Sequence, residues 1–286
     1  MVLVDKEQAY YFISKGDAVQ PLNNTGSAFK VTMREPIILP ECEYATLQVN
    51  TASVWNTSPN ISDLNGNNHF YIEYGASGIK DITIINGLYG VSELNGYLQQ
   101  KFTELGFPED LITLTGDSAT QKSVISFKYA NTTIHWNANS CYEVIGFTQG
   151  TTTTAAAGLN VYGDVVAEFN RITSYFIRTN LIMAGIPQNN LNPGIIANIP
   201  ITAAPGSVIN FEPFNPVSCS ASNLIKNGKQ TVEFTLVDQL LRPVIMDEDW
   251  SFSIVLKYKQ WRPDPTSLKI YGKSDRKNGN NNFYNI

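Results

Sequence analysis

His69 and His135 are the only histidines in the chain, and imidazole is the side chain best placed for proton transfer or metal ligation near neutral pH. Both fall in alternating apolar–polar stretches, HFYIEYG and NTTIHW, with no Cys or carboxylate at ligand spacing. They read as structural histidines, which leaves a Ser/His/Asp or Cys/His triad few centres to form around; no GxSxG occurs either. The densest carboxylate cluster is Asp247, Glu248 and Asp249, directly before Trp250. Such a cluster could ligate calcium, or supply half of a glycosidase pair beside an aromatic platform. Three consecutive side chains cannot converge on one ion without a special turn, so the expectation is a solvated loop with Trp250 packed at the end of a sandwich. Asp63 in SDLNGNN resembles a calcium loop but lacks the terminal acidic ligand. GLYG (87–90) and GDSATQKS (116–123) match neither GxxxxGK[ST] nor GxGxxG. Cys42, Cys141 and Cys219 are odd in number and far apart, with no CxxC, so neither a zinc site nor a disulfide framework is expected. The chemical inventory therefore predicts no enzyme, no cofactor and no metal.

The elements that carry these residues are mostly strands. In TVEFTLVD, Val232, Phe234 and Leu236 alternate with polar neighbours, and in SFSIVLKY so do Phe252, Ile254, Leu256 and Tyr258. SVISFKYA places Ile125, Phe127 and Tyr129 on one face. Each pattern describes a strand with one dry face. Further strands are expected over 28–33, 44–55, 69–75, 81–87, 131–136, 172–182, 194–201 and 207–214, separated by LNGNN, NPG, APG and KNG turns. One helix stands out: Val91, Leu94, Leu98, Phe102 and Leu105 follow helical spacing, with Ser92 as the expected cap and Gly106 as the stop. CYEVIGF (141–147) suggests a short helical turn.

Many strands with one helix predict an all-β chain, a single jelly-roll β-sandwich with an inserted segment containing that helix. The expected division is an N-terminal arm over 1–26, a jelly roll over 27–272 with the insertion at 76–165, and a flexible C-terminal tail over 273–286. TTTTAAAGLN (151–160) reads as an exposed loop leading back to the sandwich. The chain is 43% hydrophobic and only 16% charged, against about 25% charged in a typical globular domain. A low-charge surface suits extensive protein–protein contact, since interface cores are depleted of charge. The formal charge of −5, without a clustered basic face, predicts no sequence-specific nucleic-acid binding. No apolar run reaches the roughly 18 residues of a membrane span, and the acidic start, MVLVDKEQAYYFISKGD, lacks the basic region of a signal peptide. A cytoplasmic site of synthesis follows as the expectation.

Two stretches carry a family resemblance. The first holds INGLYGVSELNGYLQQKF (85–102), VISFKY (124–129) and CYEVIGF (141–147); the second holds INFEPF (209–214) and VEFTLVDQLLRPVIMDEDWSFSIVLKY (232–258). Together they resemble the penton-type minor capsid proteins of virophages and Polinton-like viruses. Leu88, Tyr89, Leu94 and Asn95 match a GLY…LN segment that opens a helix, and Gly146 and Phe147 match an LGF that follows. Asp238 and Gln239 match a DQ, and Asp249, Trp250, Ser251 and Phe252 match a DWSF, on two closing strands. Met246-Asp247 stands where that pattern has Asn-Gly, so the turn departs from it. The resemblance implies a homopentamer at the icosahedral vertex, surrounded by a double-jelly-roll major capsid protein, with a virion location and a surface for a host receptor. The competing expectation is a carbohydrate- or receptor-binding jelly roll, lectin-like or adhesin, with Trp55, Trp136 or Trp250 as the sugar platform.

Overall fold

The alternating stretches assemble into two facing antiparallel sheets in a computed structural model that describes residues 2–16, 19–183, 185–187 and 194–262. In chain order the strands are β1 (Val2–Ile13), β2 (Val19–Pro21), β3 (Ala28–Ile37), β4 (Ala45–Trp55), β5 (His69–Tyr74) and β6 (Ile79–Thr83). After the helix α1 (Val91–Glu104) come β7 (Ile112–Asp117), β8 (Lys122–Phe127) and β9 (Thr132–His135). The short α2 (Tyr142–Ile145) leads to β10 (Thr152–Thr154), β11 (Asn160–Tyr162), β12 (Ser174–Thr179) and β13 (Ile195–Pro200). The described chain closes with β14 (Val208–Phe211), β15 (Cys219–Ser220), β16 (Lys229–Asp238) and β17 (Ser251–Arg262).

The first sheet runs β1-β17-β4-β14, with β15 also on β4, and the second runs β13-β12-β16-β3-β2. Followed along the chain, β1, β3, β4, β12, β13, β14, β16 and β17 visit the sheets in the order first, second, first, second, second, first, second, first. That is the path of a jelly roll, two Greek keys wrapped into one sandwich. Its core takes the inward residues of both sheets. Val232, Phe234 and Leu236 are buried on β16, and Phe252, Ile254 and Leu256 on β17, as the alternation predicts. Phe29, Phe234, Trp250 and Phe252 meet there with ring centroids 4.7–5.6 Å apart. Trp250 is fully buried and its indole N–H donates to the Gly26 carbonyl at 3.2 Å. Gly26 has φ +69°, and a Cβ there would run into the Met246 carbonyl, so this approach requires glycine.

The crossover from β4 to β12 carries a second core. Ile61, Phe70, Ile72, Leu94, Leu98, Phe102, Phe127 and Trp136 belong to it, and it packs α1 and α2 with the small sheets β10-β9-β5-β6 and β11-β8-β7. This second core reaches ahead of residue 76, since it includes Ile61 and the β5 residues Phe70 and Ile72, β5 being one of the two inner strands of its four-stranded sheet. Alternation in HFYIEYG identifies a strand without telling which sheet receives it.

Three further differences have local causes. The expected arm contains β1, an edge strand paired with β17 from Val2↔Arg262 to Ile13↔Ser251. Its charges, which suggest a solvated arm, face opposite charges instead: Glu7 lies 3.5 Å from Lys257 and Asp5 3.8 Å from Lys259. TTTTAAAGLN holds β10 rather than only a loop, since Thr153 is buried and its hydroxyl accepts the Trp136 indole N–H at 2.8 Å. The N-cap of α1 is Gly90, without a side-chain cap, and Ser92 lies inside the first turn. Gly106, at φ +75°, follows the helix as expected. The tail expected over 273–286 lies outside the described residues.

Replacing Trp250 by Ala removes the largest side chain of the aromatic cluster and should cost about 3–5 kcal/mol in urea unfolding. A second test uses pH. Burial pushes the Cys141 thiol from 9.0 to about 12 and the Tyr175 phenol from 10.0 to about 12. A folded state that holds its protons longer than the unfolded one has full stability below pH 9. It loses stability at about 1.4 kcal/mol per pH unit per group, from about pH 9 for Cys141 and about pH 10 for Tyr175, up to about pH 12. The thermal midpoint should fall over that range, and less steeply in Cys141→Ala; equal slopes would remove Cys141 from the account.

Candidate functional site: the junction of sandwich and insertion

Polar side chains gather where the crossover leaves β4 and returns to β12. Asn60 is buried just after the departure. Its amide donates to the carbonyls of Tyr89 at 2.7 Å and Phe169 at 2.8 Å, and its Oδ1 accepts the Tyr89 N–H at 2.9 Å. One side chain thereby joins the outgoing segment, the GLY loop before α1 and the returning segment. Gln239 completes the return: its amide donates to the Arg171 carbonyl at 2.7 Å and its Oε1 accepts the Thr173 N–H at 3.2 Å.

Asp238 builds the turn that aims Gln239. Its carboxylate accepts the backbone N–H groups of Leu240 and Arg242 at 2.8 and 2.9 Å, and the Arg242 guanidinium at 2.7–2.8 Å. This pairing holds Leu241 at φ +62°, a left-handed position unusual for leucine. The other motif residues are likewise spent on architecture. Leu88 lines a recess beside Asn60, and Leu94 is buried under α1. Asn95 accepts the Leu114 N–H at 2.7 Å, which docks α1 on β7. Gly146 caps α2 at φ +86°, where a Cβ would lie 2.5 Å from the Val165 carbonyl, and Phe147 stacks on Trp136 at 4.6 Å. The Trp250 carbonyl accepts the Ser14 N–H at 2.8 Å and its own N–H donates to the Ser14 hydroxyl at 3.0 Å, Ser251 opens β17, and Asp249 lies 3.5 Å from Lys15 at the surface. The motif residues are distributed over both cores and the junction, and do not converge on one point.

A cleft of about 800 Å³ opens at this junction, lined by Lys122, Ser123, Glu168, Arg171, Gln239 and Arg242 among others. Its cations are already engaged: Lys122 with the Asp164 carbonyl at 2.9 Å, Arg171 with Glu143 at 3.3 Å, and Arg242 with Asp238. Internal pairing leaves little net field for an anionic ligand. Elsewhere, Glu248 accepts the Thr57 hydroxyl at 2.6 Å while Asp249 turns to Lys15, so these two neighbouring carboxylates of the acidic cluster take different partners. Among the described residues no three His, Cys, Asp or Glu are grouped to hold a metal ion. The histidines do gain carboxylates, from neighbouring strands rather than from sequence spacing: His69 with Asp81 at 2.7 Å and His135 with Glu73 at 3.5 Å. Two of the three tryptophans offered as a sugar platform, Trp136 and Trp250, are buried, and Trp55 is partly buried against the sandwich core.

Asn60 and Arg171 carry the junction without any motif to mark them, since a single Asn in SPNIS has no periodic signal. Asn60→Ala leaves two partly buried carbonyls and one N–H without this partner and should cost about 1–3 kcal/mol. Limited proteolysis should then cut within residues 163–173 before any strand of the sandwich; unchanged stability and cleavage would show that Asn60 does not hold the junction.

No family model matches the chain, and no curated protein matches it. Among solved structures it is similar to the crystal structure of the mavirus penton protein, at 11% identity and a TM-score of 0.47, over 90% of this chain and all of that one.

Proposed function

We propose that this chain is a structural capsid protein that forms the homopentameric vertex of an icosahedral virion. In this reading it has no enzymatic activity and no cofactor, is made in the host cytoplasm, and sits among double-jelly-roll major capsid proteins. The inserted unit is then available to a host receptor. The observation that carries the reading is how the motif residues are used. Asp238 and Gln239 fix the turn and the junction, and Trp250 and Phe252 fix the core, so each is engaged in contacts within the chain. A chain whose distinctive residues all serve rigidity is suited to being a building block.

The physics of a vertex fits such a block. Related copies around a rotation axis make head-to-tail contacts that close into a ring. Permanent interfaces of this kind bury large areas, which suits a chain with only 16% charged residues. The lectin-like alternative loses two of its three platforms, because buried Trp136 and Trp250 cannot stack on a sugar.

Light scattering after size exclusion, over a concentration series, tests the reading. The expected mass is five times the 31.7 kDa chain. A trimer would point instead to a major capsid protein or a spike, and a monomer at every concentration would count against the ring.

A further inference from the structure

The first sheet has two unlike edges. At one, β1 offers its outer side along all twelve residues. Its first half is guarded by Asp5, Lys6 and Glu7, the usual protection of an open edge. Residues 8–13, QAYYFI, have no charge and no proline, and there Tyr11 is 63% and Ile13 42% exposed. At the other edge β14 and β15 both pair with β4, but the chain leaves it between them: residues 212–218 span only residues 48–51 of β4. This excursion holds Pro213, Phe214, Pro216 and Val217, with Phe214 98% and Val217 55% exposed. Prolines fix the local backbone, so less entropy is lost when such a loop docks.

The register aligns the two features. Tyr11 pairs with Ser253, which pairs with Thr51, the residue of β4 beside the excursion. Ile13 pairs with Ser251, then Ser53, then Asn210 on β14. The two apolar projections therefore lie at one level on opposite edges, three strand steps or about 14 Å apart. A copy placed beside the first sheet by a rotation about an axis along the strands, with no slide along them, brings its excursion to the neighbour's β1.

We propose that these edges are the two halves of a single contact between copies of this chain, the excursion of one copy seating Phe214 and Val217 against Tyr11 and Ile13 of the next. A second copy is the occupant because both halves belong to the same chain at matching height, and the four contacting side chains, Tyr11, Ile13, Phe214 and Val217, are all uncharged, with Glu212 the one charge in the excursion. The contact is heterologous, as ring closure requires, and it rests on the ring proposed above.

Disulfide trapping tests it. In a Cys42→Ser background, where Cys141 and Cys219 are buried, the double variant Tyr11→Cys/Phe214→Cys should oxidise to a ladder of covalent oligomers that ends at the ring. Either single cysteine should give no ladder. Phe214→Asp should reduce the ring to monomer with its thermal midpoint unchanged, since the side chain touches almost nothing within its own chain. Tyr11→Cys crosslinking alone as fully as the double variant would mean that β1 meets β1, which overturns the proposal. An intact ring in Phe214→Asp, or an intact wild-type ring without crosslinks in the double variant, overturns this contact and leaves the ring standing. A wild-type chain that is monomeric at every concentration defeats the ring and this contact together.

Discussion

Phe12 and Phe252 from the first sheet, Phe29 and Phe234 from the second, and Trp250 at the threshold of β17 form one continuous aromatic cluster, with centroids 4.6–5.6 Å apart. Rings of this size each bury a large apolar area, and edge-to-face pairs add to that gain. The cluster fixes more than stability. It sets the spacing of the sheets at the end where Trp250 also bonds Ser14 and Gly26, so β1, the β2–β3 segment and β17 are held by one side chain and its backbone. From that fixed end the strand register follows, and with it the placement of both edges of the first sheet.

The junction obeys a different logic. Two amide side chains bridge it to backbone of the connecting segments: Asn60 takes Tyr89 and Phe169, and Gln239 takes Arg171 and Thr173. Buried peptide groups without partners are costly, so an inserted unit needs such bridging amides wherever its two connections run side by side. That requirement explains why the DQ pair stands at the end of β16. The aspartate makes the turn, and the turn delivers the glutamine to the returning connection.

Periodicity made the closing strands and α1 legible, because Phe234, Phe252 and Leu98 repeat at the spacing their elements demand. It could not reveal that β5 belongs to the inserted part, since a strand's alternation is the same in any sheet. β1 was masked by Asp5, Lys6 and Glu7, whose partners Lys257 and Lys259 lie some 250 residues away in sequence. The same distance hid the junction. Asn60 meets Phe169 and Gln239 meets Arg171 only after the whole crossover has folded.

The pairing of β1 with β17 also dictates an order in time. A ribosome delivers Val2–Ile13 first and Ser251–Arg262 last among the described strands, so β1 lacks its partner in the first sheet until every other described strand has been made. The inserted core, drawn from residues 61 to 147, is fully translated well before that moment. Domains generally fold as they emerge, and contacts between distant residues form slowly. A nascent chain accordingly holds a finished insertion beside an unfinished sandwich, with β1 and its uncharged half waiting for a partner.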